Sequence, residues 1–135
     1  MNEKILVVDD DPDILEALTI TLEAQGYQVI IANDGIDGLA TLKAEKPDLM
    51  ILDLLMPKMD GFAVCKELRD PRWSKFKGMP ILILTSVREE ASRRRYELET
   101  GLELDVDDYV EKPVSPEVLL KRVDKLIRKG KKSKR

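Results

Sequence analysis

The sequence has no histidine and only one cysteine, Cys65, among its 135 residues. Without imidazole groups, the chain has no serine–histidine catalytic machinery and no histidine ligands for a metal. A single cysteine excludes an internal disulfide and a thiolate metal cluster. Any chemistry here must therefore use carboxylates, hydroxyls, lysine and a hard cation bound through oxygen.

Long apolar runs are missing as well. No stretch approaches the length that spans a bilayer, and the N-terminus MNEKILVV enters a strand without a signal pattern, so we expect a cytoplasmic protein with no membrane partner. The net charge of −3 argues against a domain that binds nucleic acid through phosphates. The basic segment from Arg128 to Arg135 is expected to be a solvated end. Two alternatives remain for this segment: it contacts nucleic acid, lipid or an acidic partner, or it is part of a linker to a missing domain.

The chain does contain short apolar runs that alternate with helical patterns. Runs of this kind predict parallel strands buried on both faces, here at residues 4–9, 28–32, 48–53, 81–85 and around 109–110. The fold class is therefore α/β, a doubly wound five-stranded parallel sheet flanked by five helices. Residues 70–80 are expected to form a long irregular connection anchored by Trp73 and Phe76. We expect one domain over residues 1–129 and a basic tail over residues 130–135.

Four of the runs end in polar residues of different kinds, and the carboxyl ends of parallel strands line one crevice. Asp9, Asp10 and Asp11 follow the first run, and carboxylates about 4 Å apart repel by roughly 4 kcal/mol at an effective dielectric near 20. An acidic loop with one helix cap is the simplest interpretation. A Mg²⁺ site is the functional one. Asp11 suits the cap, which leaves Asp9 and Asp10 as cation ligands.

Asp53 follows the most continuous apolar run, where a lone carboxylate has no structural reason. As a nucleophile it could attack phosphorus and hold an acyl phosphate. Lys112 could neutralise charge on the phosphoryl oxygens, and Thr85 could donate its hydroxyl to one of them. A solvated lysine and an ordinary β-branched strand residue are the alternatives for these two positions.

The motifs VVDDDPDI, DLLMPKMDG, LTS and DDYVEKP, in this order, closely resemble the response-regulator receiver domain of two-component signalling. The resemblance extends from Lys4 to about Arg128 and implies a flavodoxin-like topology, as in chemotaxis regulators. It implies phosphorylation of Asp53 by a histidine kinase or a phosphotransfer protein. It also implies a set of site residues: Mg²⁺ ligands Asp9, Asp10, Asp53 and the backbone carbonyl of Leu55; the phosphate-contacting Lys112; and the switch pair Thr85 and Tyr109.

The resemblance further implies a binding module that is not an enzyme beyond its own phosphorylation and dephosphorylation. The face formed by the fourth helix, the fifth strand and the last helix would signal to a downstream protein or to an output domain outside these residues, and phosphorylation-dependent homodimerisation is a further expectation. Asp105-Val106 stand where the family usually has Gly-Ala, and Ser86 replaces a usual alanine. The run Arg93-Arg94-Arg95 is interpreted as a solvated helix face, and contact with an acidic partner, together with Arg88, is the alternative.

Three other functions are weighed. An aspartyl-phosphate phosphatase of the haloacid-dehalogenase type would use Asp9-x-Asp11, but Asp13 stands where its threonine is expected and no cap domain is present. A flavodoxin would need a phosphate loop rich in glycine and hydroxyl groups, whereas DDDPD repels phosphate. A receiver-like module that is never phosphorylated is disfavoured because every site position is filled.

The positions two residues beyond Asp53 and Thr85 hold the apolar residues Leu55 and Val87. Apolar side chains cannot orient a hydrolytic water, so we expect phospho-Asp53 to be longer-lived than in relatives with acid or amide groups at these positions. Introducing polar groups with Val87→Glu and Leu55→Asn should speed its decay, measured as loss of the phosphoryl mass over time. Unchanged or slower decay in both variants would defeat this expectation.

Overall fold

The computed structural model describes the backbone of residues 2–133 and the side chains of residues 2–130. Within these residues one five-stranded sheet has the order β2-β1-β3-β4-β5, and every pairing is parallel. The strands are β1 Lys4–Val8, β2 Gln28–Ala32, β3 Leu49–Asp53, β4 Ile81–Thr85 and β5 Asp108–Glu111. The predicted fold class, topology and order of elements are confirmed.

The helices follow the strands in alternation: α1 Pro12–Glu23, α2 Gly35–Glu45, α3 Gly61–Leu68, α4 Val87–Thr100 and α5 Pro116–Ser133. Aspartates cap three of them, because an aspartate oxygen accepts the free N–H groups of a first helical turn. Asp11 accepts from Asp13 N–H at 2.9 Å, as the sequence predicts, and Asp60 accepts from Ala63 N–H.

The expectation of an irregular connection over residues 70–80 is wrong in part. Pro71–Phe76 form a 3-10 helix, because Asp70 caps it through Arg72 N–H and proline suits a first helical position. Trp73 and Phe76 pack against the apolar core, and the Trp73 indole donates to Glu67 at 2.9 Å. The anchoring role predicted for these two aromatic residues is confirmed.

Alternate residues of each strand face opposite sides of the sheet, which creates two apolar layers. One layer packs between the sheet and α1 and α5; it contains Ile5, Val7, Leu49, Ile51, Leu82 and Leu84 from the strands. The other packs between the sheet and α2 and α3; it contains Leu6, Val8, Met50, Leu52, Ile81 and Ile83. The central strands are thus apolar on both faces, and their first polar side chains emerge only at the carboxyl ends.

Helix α4 is attached differently from its neighbours. Its one buried residue is charged, Glu89, and its apolar residues Val87 and Leu98 are 91% and 85% exposed. Apart from Tyr96, whose ring stacks on Phe62 with centroids 4.9 Å apart, α4 meets the domain mainly through polar side chains. Hydrophobic burial, which fixes the other helices, contributes little to holding α4 in place.

The predicted boundary at residue 130 lies inside α5, which continues to Ser133. Residues 134 and 135 lie outside the described part of the chain, so the separate basic tail stays a prediction. No helix in the described residues is both long and apolar enough to cross a bilayer.

Gly61 marks a close approach between the start of α3 and the end of β3. A Cβ at this position would lie 2.5 Å from the Asp53 carbonyl oxygen and 2.8 Å from Leu54 Cα. Because the backbone there cannot yield easily, we expect Gly61→Ala to lower the free energy of unfolding by about 2 kcal/mol. Urea denaturation measures this. Gly78→Ala, where nothing lies within 4 Å, should change stability little, and equal losses in both variants would contradict the packing argument.

Candidate functional site

The carboxyl ends of β1 and β3 bring three aspartates together. One carboxylate oxygen from each of Asp9, Asp10 and Asp53 lies within 4.8 Å of the others. Asp9 and Asp53 are buried, at 0% and 2% exposure, whereas Asp10 is exposed. The site therefore has a buried floor of two carboxylates and one carboxylate at its rim.

Lys112 enters the same site from the end of β5. Its backbone N–H donates to the Thr85 carbonyl oxygen at 2.7 Å, which ties it to the end of the neighbouring strand β4, and its peptide bond to Pro113 is cis. The ammonium nitrogen lies 3.1 Å from Asp53 Oδ1 and 3.4 Å from Asp9 Oδ2. Both lysine–aspartate contacts join residues far apart in the chain, 59 residues in the case of Asp53, as strand-end positions allow.

Burial raises the pKa of both buried aspartates. It raises the pKa of Asp9 to about 6, with the nearby Asp53 charge adding to the shift and the Asp11 N–H and Lys112 opposing it. Burial, together with the Glu89 carboxyl group, raises the pKa of Asp53 to about 7, although Lys112 opposes the change. Lys112 alone therefore does not supply enough positive charge to keep the pKa of these two carboxyl groups at its ordinary value.

The cation of Lys112 is itself stabilised by this cluster. Burial works against its charge, but Asp53, Asp9 and Glu89 together raise its pKa above the ordinary value. Even so, Asp9 Oδ2 is buried without a hydrogen bond. A set of oxygen ligands that includes an unsatisfied buried carboxylate oxygen is the chemistry that suits a hard divalent cation such as Mg²⁺.

Thr85 lies at the end of β4 and is 3% exposed. Its hydroxyl lies 3.3 Å from Glu90 Oε1 and 3.4 Å from the Ser86 carbonyl oxygen, both on the α4 side of the site. The structure thus places Thr85 at the predicted edge of the sheet, with its hydroxyl directed at α4. Leu55 lies two residues beyond Asp53 in the loop after β3, and its carbonyl as a cation ligand stays a prediction.

Tyr109, in β5, is half-buried against the layer beneath α2 and α3. The Arg93 guanidinium lies over its ring, 4.9 Å from the centroid, and donates to Glu90 Oε2 at 2.6 Å. The interpretation of Arg93 as part of a solvated face is therefore wrong, since the side chain packs on Tyr109 and its Nε is buried. Arg94 and Arg95 are exposed, in agreement with that interpretation.

Sequence reasoning missed Glu89 as a member of the site. Its carboxylate Oε1 lies 3.4 Å from Lys112 Nζ, and the residue is 6% exposed. The pattern S-x-x-E from Ser86 to Glu89 is a helix N-terminal signature, and Ser86 Oγ does accept the Glu89 N–H at 3.3 Å. In that signature the glutamate turns back to the helix start, whereas here it points into the cluster. The sequence signal for its role was the acidic first turn of α4, Glu89 and Glu90, which closely follows the predicted site residue Thr85.

The raised pKa values of Asp9 and Asp53 make the stability of the metal-free protein depend on pH. Because native Asp53 and Asp9 hold protons above their ordinary pKa of 3.8, the native state binds more protons than the unfolded state between about pH 4 and 7. Unfolding free energy should therefore fall as pH rises through this window. In EDTA, Asp53→Asn should be more stable than wild type by on the order of 2 kcal/mol at pH 8 and similar at pH 4. Parallel pH curves for the two proteins would contradict the argument, and the exposed Asp37→Asn serves as control.

Residues 5–124 match the family described as response regulator receiver domain. Among curated relatives, the alkaline phosphatase synthesis transcriptional regulatory protein PhoP of Bacillus subtilis is 45% identical over 130 residues, which is 96% of this chain and 50% of that protein. Response regulator MprA of Mycobacterium bovis is 40% identical over 131 residues, 97% of this chain and 53% of that protein. The chain spans about half the length of these relatives.

Solved structures agree with the sequence relatives. The chemotaxis protein CheY4 of Vibrio cholerae has 31% sequence identity and a TM-score of 0.78, over 93% of this chain and 99% of that one. The receiver domain of a signal transduction histidine kinase from Syntrophus aciditrophicus has 33% identity and the same TM-score, over 93% and 90% of the two chains. With the strand-end cluster and the family match in agreement, the chain belongs to the receiver domains of two-component response regulators.

Proposed function

We propose that this receiver domain accepts a phosphoryl group on Asp53 in a Mg²⁺-dependent reaction. The observation that carries the proposal is the position of the Asp53 carboxylate, 3.1 Å from the Lys112 ammonium and within 4.8 Å of oxygens of Asp9 and Asp10. A nucleophile, a phosphate-binding cation and an acidic pair thus meet at one strand-end crevice.

In the proposed transfer, an Asp53 carboxylate oxygen forms a bond to phosphorus while the bond from phosphorus to the donor breaks. The donor group leaves with the electron pair of that bond. Lys112, already at hydrogen-bonding distance from Asp53, offsets negative charge on the phosphoryl oxygens. Its contact also favours the ionised carboxylate, which burial opposes.

Asp9, Asp10 and Asp53, with the backbone carbonyl of Leu55, would hold the Mg²⁺ ion. When bound, the ion supplies additional positive charge for the phosphoryl oxygens. Asp9 Oδ2 supports this assignment: it is buried without a hydrogen bond, and its ion-pair partner Lys112 lies 3.4 Å away, so a bound cation would complete its pairing.

The output follows from the connection between the site and α4. Thr85 and Tyr109, the proposed switch pair, both contact α4 side chains: Glu90 meets Thr85, and Arg93 covers Tyr109. A change at the site would thus alter the face formed by α4, β5 and α5. We propose a histidine kinase or phosphotransfer protein as the phosphoryl source. A downstream protein or output domain, or a second copy of the chain, would read that face.

The PhoP and MprA relatives are about twice as long as the matched region, which supports an output domain as one of these partners. The comparisons give no support to the phosphatase alternative, and this family is not one of classical enzymes. We also propose that the domain catalyses only its own phosphorylation and dephosphorylation. We further propose that it is cytoplasmic and that its basic C-terminal tail is separate from the domain.

Acetyl phosphate with Mg²⁺ should add the mass of one phosphoryl group to the intact protein. Asp53→Asn should show no adduct, because the nucleophile is gone while the shape is kept. Asp37→Asn, an exposed aspartate on α2, should be labelled like wild type. Intact-mass spectrometry measures all three proteins, and labelling of Asp53→Asn equal to wild type would overturn the assignment.

A further inference from the structure

The Lys112 ammonium has a third carboxylate neighbour that the proposed reaction does not use. Glu89 Oε1 lies 3.4 Å away, on the side of the site formed by the first turn of α4. The Glu89 side chain is buried, and its second oxygen, Oε2, has no hydrogen-bond partner. Burying a charged group without full pairing is unfavourable, so the contact with Lys112 must compensate for this cost.

The Thr85 hydroxyl, the second group proposed to contact phosphate, also contacts a glutamate of α4. The Thr85 hydroxyl lies 3.3 Å from Glu90 Oε1, and Glu90 is the next residue along α4. Consecutive residues of one helical turn therefore contact both Lys112 and Thr85. A carboxylate resembles a phosphoryl group in charge and in its oxygen acceptors, and it satisfies the same donors.

We propose that Glu89 is an internal stand-in for the phosphoryl group, which occupies the Lys112 contact in the unphosphorylated chain and is displaced when Asp53 is phosphorylated. Glu90 acts in parallel on Thr85. This inference rests on the proposed phosphorylation of Asp53. Glu89 is thus a positioning residue, because it acts through Lys112 and not on the reacting atoms.

Displacement follows from charge. A phosphoryl group on Asp53 brings negative charge to a position where Lys112 already faces Asp53, Asp9 and Glu89. Like charges at such separations repel strongly in a partly buried site. Asp9 and Asp53 are fixed by buried strands, whereas Glu89 stands on the helix with no buried apolar residue. Glu89 is therefore the carboxylate that gives way.

A short series of contacts connects the first turn of α4 to the face formed by α4, β5 and α5. Glu90 bridges Thr85 and Arg93, and Arg93 covers the Tyr109 ring. If Thr85 turns from Glu90 to the phosphoryl group, the Glu90–Arg93 pair loses one of its supports. The displaced glutamates thus give α4 a physical reason to respond to chemistry at Asp53.

The test compares the rate of phosphorylation by acetyl phosphate at fixed Mg²⁺ in wild type, Glu89→Gln and Glu99→Gln. Glutamine keeps the size of residue 89 but removes the charge that opposes the incoming phosphoryl donor, so we expect a rate increase of about tenfold. Glu99, exposed on the same helix, is the matched control and should leave the rate unchanged. Urea denaturation verifies that each variant is folded.

A second readout does not depend on rate. In a structure of the wild-type chain with Mg²⁺ and beryllofluoride, a phosphoryl mimic, the Glu89 carboxylate should have left Lys112. An unchanged or slower rate in Glu89→Gln, or Glu89 still paired with Lys112 in that adduct, would overturn the inference. Absence of any adduct in wild type and in every variant would instead refute the proposed function of Asp53.

Discussion

The position of one ammonium group holds this site together. Lys112 lies between Asp53, Asp9 and Glu89, three carboxylates that would repel one another without it. Its place is fixed from below by the pairing of β4 with β5 and by the hydrogen bond from its backbone N–H to Thr85. The sheet thus serves as the rigid support, and the balance of charge above it determines what the site can bind.

The sheet was predictable because buried parallel strands leave a simple trace in sequence. The run from Leu49 to Leu52 is apolar at every position, since both faces of β3 are covered by helices. Where such a run stops, the next side chain lies at the edge of the sheet, and this places Asp53 close to Asp9. The meeting of Lys112 with Asp53 follows from the same rule, although 59 residues separate them.

The contribution of α4 could not be predicted in the same way. Its sequence is rich in charge, and a charged helix is normally a solvated one. Whether Glu89 and Arg93 point inward depends on how the helix is rotated about its axis. The α4 sequence has no apolar stripe from which that rotation could be predicted. Arg93 packs over the Tyr109 ring, and its partner Glu90 is also held by Thr85. Such a chain of polar contacts is visible only once the fold has brought its members together.

The small share of apolar packing at α4 sets this helix apart from the rest of the domain. The layers under α1, α2, α3 and α5 are held mainly by burial of hydrocarbon, which the screening of charges by salt does not weaken. The contacts of Glu90, Arg93 and Glu97 are partly open to water, and a Debye length of about 8 Å at physiological ionic strength weakens such pairs. The ionic strength of the surrounding solution therefore bears more directly on the position of α4 than on that of the other helices, as a background bias on a surface that partner proteins would read.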